Sequence, residues 1–415
     1  MNISTVLLAF ALLTACFVSA ESTIRLERRL GRKGGFDYST EIQRVAAKYA
    51  NNAMAHFKNT GKHHQVVNAT KLQKRARTAK LDLADNGAWS GEIEIGSPAQ
   101  TRWVMFDTGS ADLVLNQGAY NHEDSRTSKD LHKTFSNNYQ GGSASGSVYT
   151  DQVSMGSIKA KGVAIAADDS VLPTMDGDRM DGILGLGFPI ISGLAMSGIS
   201  EPTFIAAARE QNSMSKNLFQ MTLRMNGGST LHVGKIESSE VQGGLGWVNV
   251  NEADGYWKTD VEINGKKTTG IVDSGTTFVV APIDQFKEIM GGIDKLSIKR
   301  SDNGEYSGYY KCDDPPVVKF KLAGKETVMD QDSMFLSQDG DQCRISIVSA
   351  DGFNDWIYGA TFMATASMVF DVDNSRIGFG KQSWWHFLVD DSFASRQLMT
   401  CQTSSNESCI ISLGY

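Results

Sequence analysis

The sequence predicts an all-β body built as two copies of one lobe. Three observations carry that expectation. An apolar run ending in an acidic turn, Val104-Met105-Phe106-Asp107-Thr108-Gly109-Ser110, recurs 166 positions later as Gly270-Ile271-Val272-Asp273-Ser274-Gly275-Thr276. Each copy is followed by a second apolar stretch closing in glycine: Ile183-Leu184-Gly185 ends 78 residues after Asp107, and Ile357-Tyr358-Gly359 ends 86 residues after Asp273. From Trp89 to about residue 380, short alternating runs are separated by turn residues, the pattern of half-buried strands. A constellation repeated at this spacing marks a duplicated unit.

The chain has 415 residues, enough for two cores and a leader. Its first twenty residues contain the apolar core Val6-Leu7-Leu8-Ala9-Phe10-Ala11-Leu12-Leu13 and close on Val18-Ser19-Ala20, which reads as a secretory signal peptide without the usual positive start. Residues 21–75 carry 12 Lys/Arg against 4 Asp/Glu, and residues 76–415 carry 28 against 43. A basic segment ahead of an acidic body favours electrostatic docking of one on the other. The acidic body and the signal for secretion argue against a nucleic-acid-binding arm. Within the basic segment, apolar residues at Ile42, Val45, Ala46, Tyr49, Ala53, Met54 and Phe57 predict a helix over Ser39 to Phe57, opened by the capping pattern Thr40-x-x-Gln43. The dibasic pair Lys74-Arg75, where the composition turns acidic, is the expected processing site, so residues 21–75 read as a propeptide.

In the body, Glu92 to Ile95 and Trp103 to Phe106 are the first strands, with the short helices Thr203 to Gln211 and Ile283 to Met290 later. Tyr139-Gln140-Gly141-Gly142-Ser143 begins a long glycine-rich hairpin suited to a flap over a cleft. No later apolar run is long enough to span a bilayer. Cys16 leaves with the signal peptide, and the remaining Cys312, Cys343, Cys401 and Cys409 allow three pairings. The two local ones, Cys312 with Cys343 and Cys401 with Cys409, are preferred. Asn68-Ala69-Thr70 and Asn406-Glu407-Ser408 are glycosylation sequons. No His-Cys cluster has metal-site spacing, so neither metal nor cofactor is expected.

In each acidic turn the glycine lets backbone N–H groups approach the carboxylate, and the hydroxyls on either side favour its ionised form. Two such turns face to face would make a carboxylate pair of Asp107 and Asp273. Close in a partly dry cleft, the two would repel and share one proton.

From about Trp89 to Lys381 the sequence resembles the pepsin family of aspartic endopeptidases. The twin Asp-[Thr/Ser]-Gly motifs, the flap-like Tyr139-x-Gly-Gly-Ser, Asp181-Gly182-Ile183-Leu184-Gly185 and the Cys312/Cys343 pair all fall in family order. The resemblance implies a bilobal fold with pseudo-twofold related lobes, residues 76–260 and 261–381, followed by an extension over 382–415. It implies catalysis by Asp107 and Asp273 through an activated water, with support from Thr108, Gly109, Ser110, Ser274, Gly275 and Thr276. Tyr139, Gly142, Ser143, Met105, Ile183 and Ile271 would contact an extended peptide, and their apolar character predicts cleavage between bulky hydrophobic residues. The propeptide would act as an intramolecular inhibitor, with Lys58 or Lys62 as candidates for contact with the acids. A secreted or vacuolar monomer acting on peptides or unfolded proteins, without membrane or nucleic-acid partners, is expected. The rival reading is an inactive binding or inhibitor protein on the same fold. Three positions depart from the family pattern: Val114 replaces a flap-supporting tryptophan, Gly141 lacks a flap carboxylate, and Ala360 replaces an acid near the pair.

Overall fold

The structure is a computed structural model that describes residues 20–29, 38–64, 66, 88–139, 142–169, 180–301 and 304–383. The expected signal sequence up to Ser19, the expected processing site Lys74-Arg75, the sequons at Asn68 and Asn406, Cys401, Cys409 and residues 384–415 lie outside the described residues.

The two acid-bearing strands have the same neighbours. Gln100–Asp107 lies between the antiparallel strand Ala88–Ile95 and the parallel strand Gly182–Gly185, with Asp107 opposite Gly185. Lys266–Val272 lies between antiparallel Lys258–Ile263 and parallel Trp356–Tyr358, with Val272 opposite Tyr358. The next strand of each half, Leu113–Leu115 or Val279–Pro282, pairs antiparallel with that glycine-ended strand. Val104, Phe106, Ile271 and Val272 are fully buried, which is why both runs read as continuously apolar rather than alternating.

The glycine ending each supporting strand is a packing requirement. A Cβ on Gly185 would collide with the backbone of Ala111, and one on Gly359 would collide with the carbonyl oxygens of Thr276 and Phe278. Gly359→Ala is therefore expected to lower the unfolding free energy by about 1–3 kcal/mol, since neither partner is a movable side chain. A shifted thermal midpoint checks this.

Strand order divides the molecule differently from chain order. One sheet has thirteen strands and the other has ten. Ala366–Asp371 and Arg376–Gln382, from the end of the described chain, join the thirteen-stranded sheet that carries Asp107, while the ten-stranded sheet carries the Asp273 strand. The strand Ser22–Arg29, not anticipated from sequence, joins the thirteen-stranded sheet too, between Ser229–Val233 and Ala88–Ile95. Its Ile24 and Leu26 are buried in the main core.

The N-terminal helix runs Tyr38–Thr60, so Thr40 lies inside it rather than capping it. Ile42, Val45, Ala46 and Tyr49 form its buried stripe and pack against Tyr256, Ile271, Phe278, Val280 and Phe353. Toward the end of the helix Ala55 and His56 stay buried and Asn59 donates to the Ile190 and Ser192 carbonyls, while Met54 and Phe57 lie exposed, against the expectation for those two. Of the two short helices, Phe204–Glu210 is capped by the Thr203 hydroxyl, and Ile283–Met290 has the expected bounds. Cys312 and Cys343 form a disulfide.

Candidate active site

Both aspartates sit at or just past the end of an apolar strand, where the chain turns, and both are fully buried. The turn satisfies each carboxylate in the same way. Asp107 Oδ1 accepts from the N–H of Gly109 at 2.9 Å, and Oδ2 accepts from the Ser110 hydroxyl at 2.6 Å. Asp273 Oδ1 accepts from the N–H of Gly275 at 3.0 Å, and Oδ2 from the Thr276 hydroxyl at 2.6 Å.

The turns are bolted to each other by the residue after each acid. The Ser274 hydroxyl accepts from the Thr108 N–H at 3.0 Å and donates to the Phe106 carbonyl at 2.7 Å. The Thr108 hydroxyl accepts from the Ser274 N–H at 2.9 Å and donates to the Val272 carbonyl at 2.9 Å. All four groups are buried, so each bond lies where water cannot replace it. The two glycines let the carboxylates cross: a Cβ on Gly109 would strike the Asp273 carboxylate, and one on Gly275 would strike that of Asp107. Behind the turns, Leu186 N–H donates to the Asp107 carbonyl at 2.8 Å and Ala360 N–H to the Thr276 carbonyl at 2.7 Å.

Burial pushes the Asp107 carboxyl above the ordinary carboxylate range, with Lys48 opposing and Asp273 adding to the rise. Burial acts upward on Asp273 as well, but the Lys48 charge and hydrogen bonds from Asp107, Lys48 and Thr276 outweigh it and hold that carboxyl below the range. The two carboxyls are thus shifted in opposite directions.

A lysine stands between the acids, and it is neither of the two expected from sequence. Lys48 Nζ lies 3.1 and 3.4 Å from the Asp107 oxygens and 2.9 and 2.8 Å from those of Asp273. Lys58 and Lys62 are exposed. At 100° per residue Lys58 falls on the opposite side of the helix from Tyr49, whereas Lys48 projects beside the buried stripe. The Tyr49 hydroxyl donates to Asp273 Oδ2 at 2.9 Å, and burial together with the Asp273 charge pushes that phenol well above its usual range, keeping it a donor.

Other groups on the same helix engage both turns. Asn52 Nδ2 donates to the Gly109 carbonyl at 2.8 Å, and Arg44 Nη2 to the Gly275 carbonyl at 2.5 Å. Buried Glu41 accepts from both the N–H and the hydroxyl of Thr277, each at 3.2 Å. The sequence offered one clue to these contacts: Lys48 interrupts an otherwise apolar face between Val45 and Tyr49.

The expected peptide-contacting residues fall into separate groups. Met105 and Ile183 are paired across adjacent strands and pack with Val114, Phe135, Leu194 and Ile199. Ile271 belongs to the cluster covered by the N-terminal helix. Tyr139 and Gly142 are partners at the tip of a hairpin formed by Lys129–Tyr139 and Gly142–Met155, with Ser143 opposite Asn138. Gln140 and Gly141 lie outside the described residues.

The sequence model of the eukaryotic aspartyl protease family matches residues 88–382. Secreted aspartyl protease 1 of Malassezia globosa is 32% identical over 390 residues, spanning 90% of this chain and 96% of its own length. A protein of the same organism named a probable inactive secreted aspartyl protease is 27% identical, spanning 80% and 89%. Pepsin A of Bos taurus is 29% identical, spanning 69% and 82%.

Proposed function

Because this chain belongs to the eukaryotic aspartyl protease family, we propose that it is an acid endopeptidase made as a zymogen, with Asp107 and Asp273 as its catalytic pair. The observation that carries this reading is the matched, cross-bolted pair of buried carboxylates, each held by the N–H of its own glycine and the hydroxyl that follows it. In the mature enzyme the ionised carboxylate withdraws a proton from a water between the two acids. The water oxygen attacks the scissile carbonyl carbon, while the protonated acid gives its proton to the carbonyl oxygen. The acid that now holds the water's proton gives it to the leaving nitrogen, the other carboxylate takes one from a diol hydroxyl as the C–N bond breaks, and the pair ends with the single proton it began with. The rival reading, an inactive protein on this fold, has a namesake among the relatives. It is disfavoured because both acids and all four flanking hydroxyls keep their partners here.

The N-terminal segment is the proposed inhibitor. Its Lys48 ammonium sits within hydrogen-bonding reach of both acids, where the nucleophilic water would act, and Arg44 and Asn52 engage the carbonyls of the two glycine turns. A secreted monomer, with the segment removed near Lys74-Arg75 and lobes at 76–260 and 261–381, completes the reading. The apolar groups around Met105 and Ile183 on one side and Ile271 on the other favour cleavage between bulky hydrophobic residues. Digestion of a denatured protein across pH, read by mass spectrometry, tests this. The expected products have hydrophobic residues flanking the cut, and fragments cut mainly after lysine would refute the preference.

The pH profile has a defined sign. Ala360 is buried at the support of the second turn, its N–H bonded to Thr276. A carboxylate there disfavours further negative charge on the pair, so Ala360→Asp is expected to raise the apparent pKa of the acid limb of kcat/KM. A fall in that limb would contradict the assignment.

A further inference from the structure

We infer that His64 is an acid-sensitive latch, which while neutral holds the exit of the N-terminal segment on the body through Val66 and on protonation lets it go. The inference rests on the reading of that segment as the inhibitor, and it names how release is timed.

After the helix ends at Thr60, the chain turns at Gly61 and returns along the body. The N–H of Val66 donates to His64 Nδ1 at 3.2 Å. A ring nitrogen that accepts a hydrogen bond carries no proton, and a backbone hydrogen bond to Asp254 further holds the ring. Val66 is what this arrangement secures. Its side chain is buried among Tyr256, Phe353 and their neighbours, and its carbonyl accepts from the Asn354 N–H at 3.0 Å. The chain from Val66 onward leads to the expected processing site.

The groups facing His64 come from three directions. On the helix, His56 packs edge-on with ring centroids 5.0 Å apart. In the loop before Lys258–Ile263, Tyr256 packs edge-on at 5.0 Å and Asp254 supplies a carboxylate. On that strand, Lys258 adds a positive charge and is itself paired with Asp355 at 2.7 Å. His56 itself lies between the carbonyls of Lys62 at 3.0 Å and Ala253 at 2.9 Å. Burial first, then His56 and Lys258, push His64 down to about 4, against the pull of Asp254.

The direction of the pH effect follows. A released histidine takes up its proton near about 6.5, while the docked ring resists until about 4. Docking is therefore complete above the first value, weakens as pH falls through the window between them, and levels off below the second. One proton limits the effect to about tenfold per pH unit, and partial exposure of the ring reduces it.

The test uses the full-length precursor, held at pH values from neutral to about 3 and then returned to one assay pH with a hydrophobic peptide. His64→Asn keeps an uncharged acceptor near Nδ1, and the pH midpoint for gain of activity should move down by about one unit. His64→Ala, which lacks the acceptor, should release at higher pH than the parent. A latent His64→Asn precursor with the parent's midpoint would overturn the latch, as would a His64 ring that titrates near the ordinary value by NMR in the latent parent. If the parent is already fully active at neutral pH with its N-terminus uncut, the inhibitor reading fails and the latch fails with it.

Discussion

Replacing Asp107 or Asp273 by Asn is expected to lower kcat/KM for peptide hydrolysis by about 1,000-fold or more while leaving the fold intact. The change is isosteric, so in Asp107→Asn the new amide oxygen still accepts from the Gly109 N–H and the Thr108–Ser274 lock is untouched. What disappears is the ability to hold one proton and give it up again. An asparagine cannot act as base toward water, nor can it serve as the acid that polarises the carbonyl. Steady-state kinetics on the mature form, with thermal unfolding as the control, decide the matter. Unchanged hydrolysis in both variants would remove the pair from the mechanism. Absence of activity in the parent under acid conditions would instead favour the binding-protein reading.

Lys48→Ala in the full-length chain should undo latency. Lys48 touches all four carboxylate oxygens and is itself buried, so its loss leaves two buried acids facing the hydroxyl of Tyr49 with no cation between them. Breaking a buried pair by removing one partner costs about 3–5 kcal/mol, more than a hundredfold in docking. The variant precursor should therefore cleave peptide at pH values where the parent is silent, before its N-terminus is cut. Lys58→Ala, on the opposite and exposed side of the helix, should behave as the parent does. Equal latency in Lys48→Ala and parent would mean that Glu41, Arg44 and Asn52 hold the segment without help from the lysine.

Much of the frame was legible because it depends on neighbours in sequence. The acid, the following hydroxyl residue and the glycine at 107–109 and 273–275 specify their own turns, since the bonds from Gly109 and Gly275 span two residues and those from Ser110 and Thr276 span three. The apolar spacing at Ile42, Val45, Ala46 and Tyr49 does mark the buried face of the helix, whereas Met54 and Phe57 of the same pattern are exposed, and the local Cys312–Cys343 pairing does form. The Ser22–Arg29 strand was missed although Ile24-Arg25-Leu26 alternates, because basic residues around it masked a two-sided pairing that only the finished sheet provides.

The sequence alone determined that two acidic turns exist, that each is locally satisfied, and that a glycine waits behind each of them, for these are consequences of side-chain size and short-range hydrogen bonding. The tertiary structure decided which cation meets them. Lys48 is 59 residues from Asp107 and 225 from Asp273, and its place beside the apolar stripe says that it lies near the buried face of the helix but not what it meets there. Its selection comes from the helix laying its apolar face on the Asp273 lobe, which points that one ammonium at the space between two turns whose carboxylates would otherwise repel.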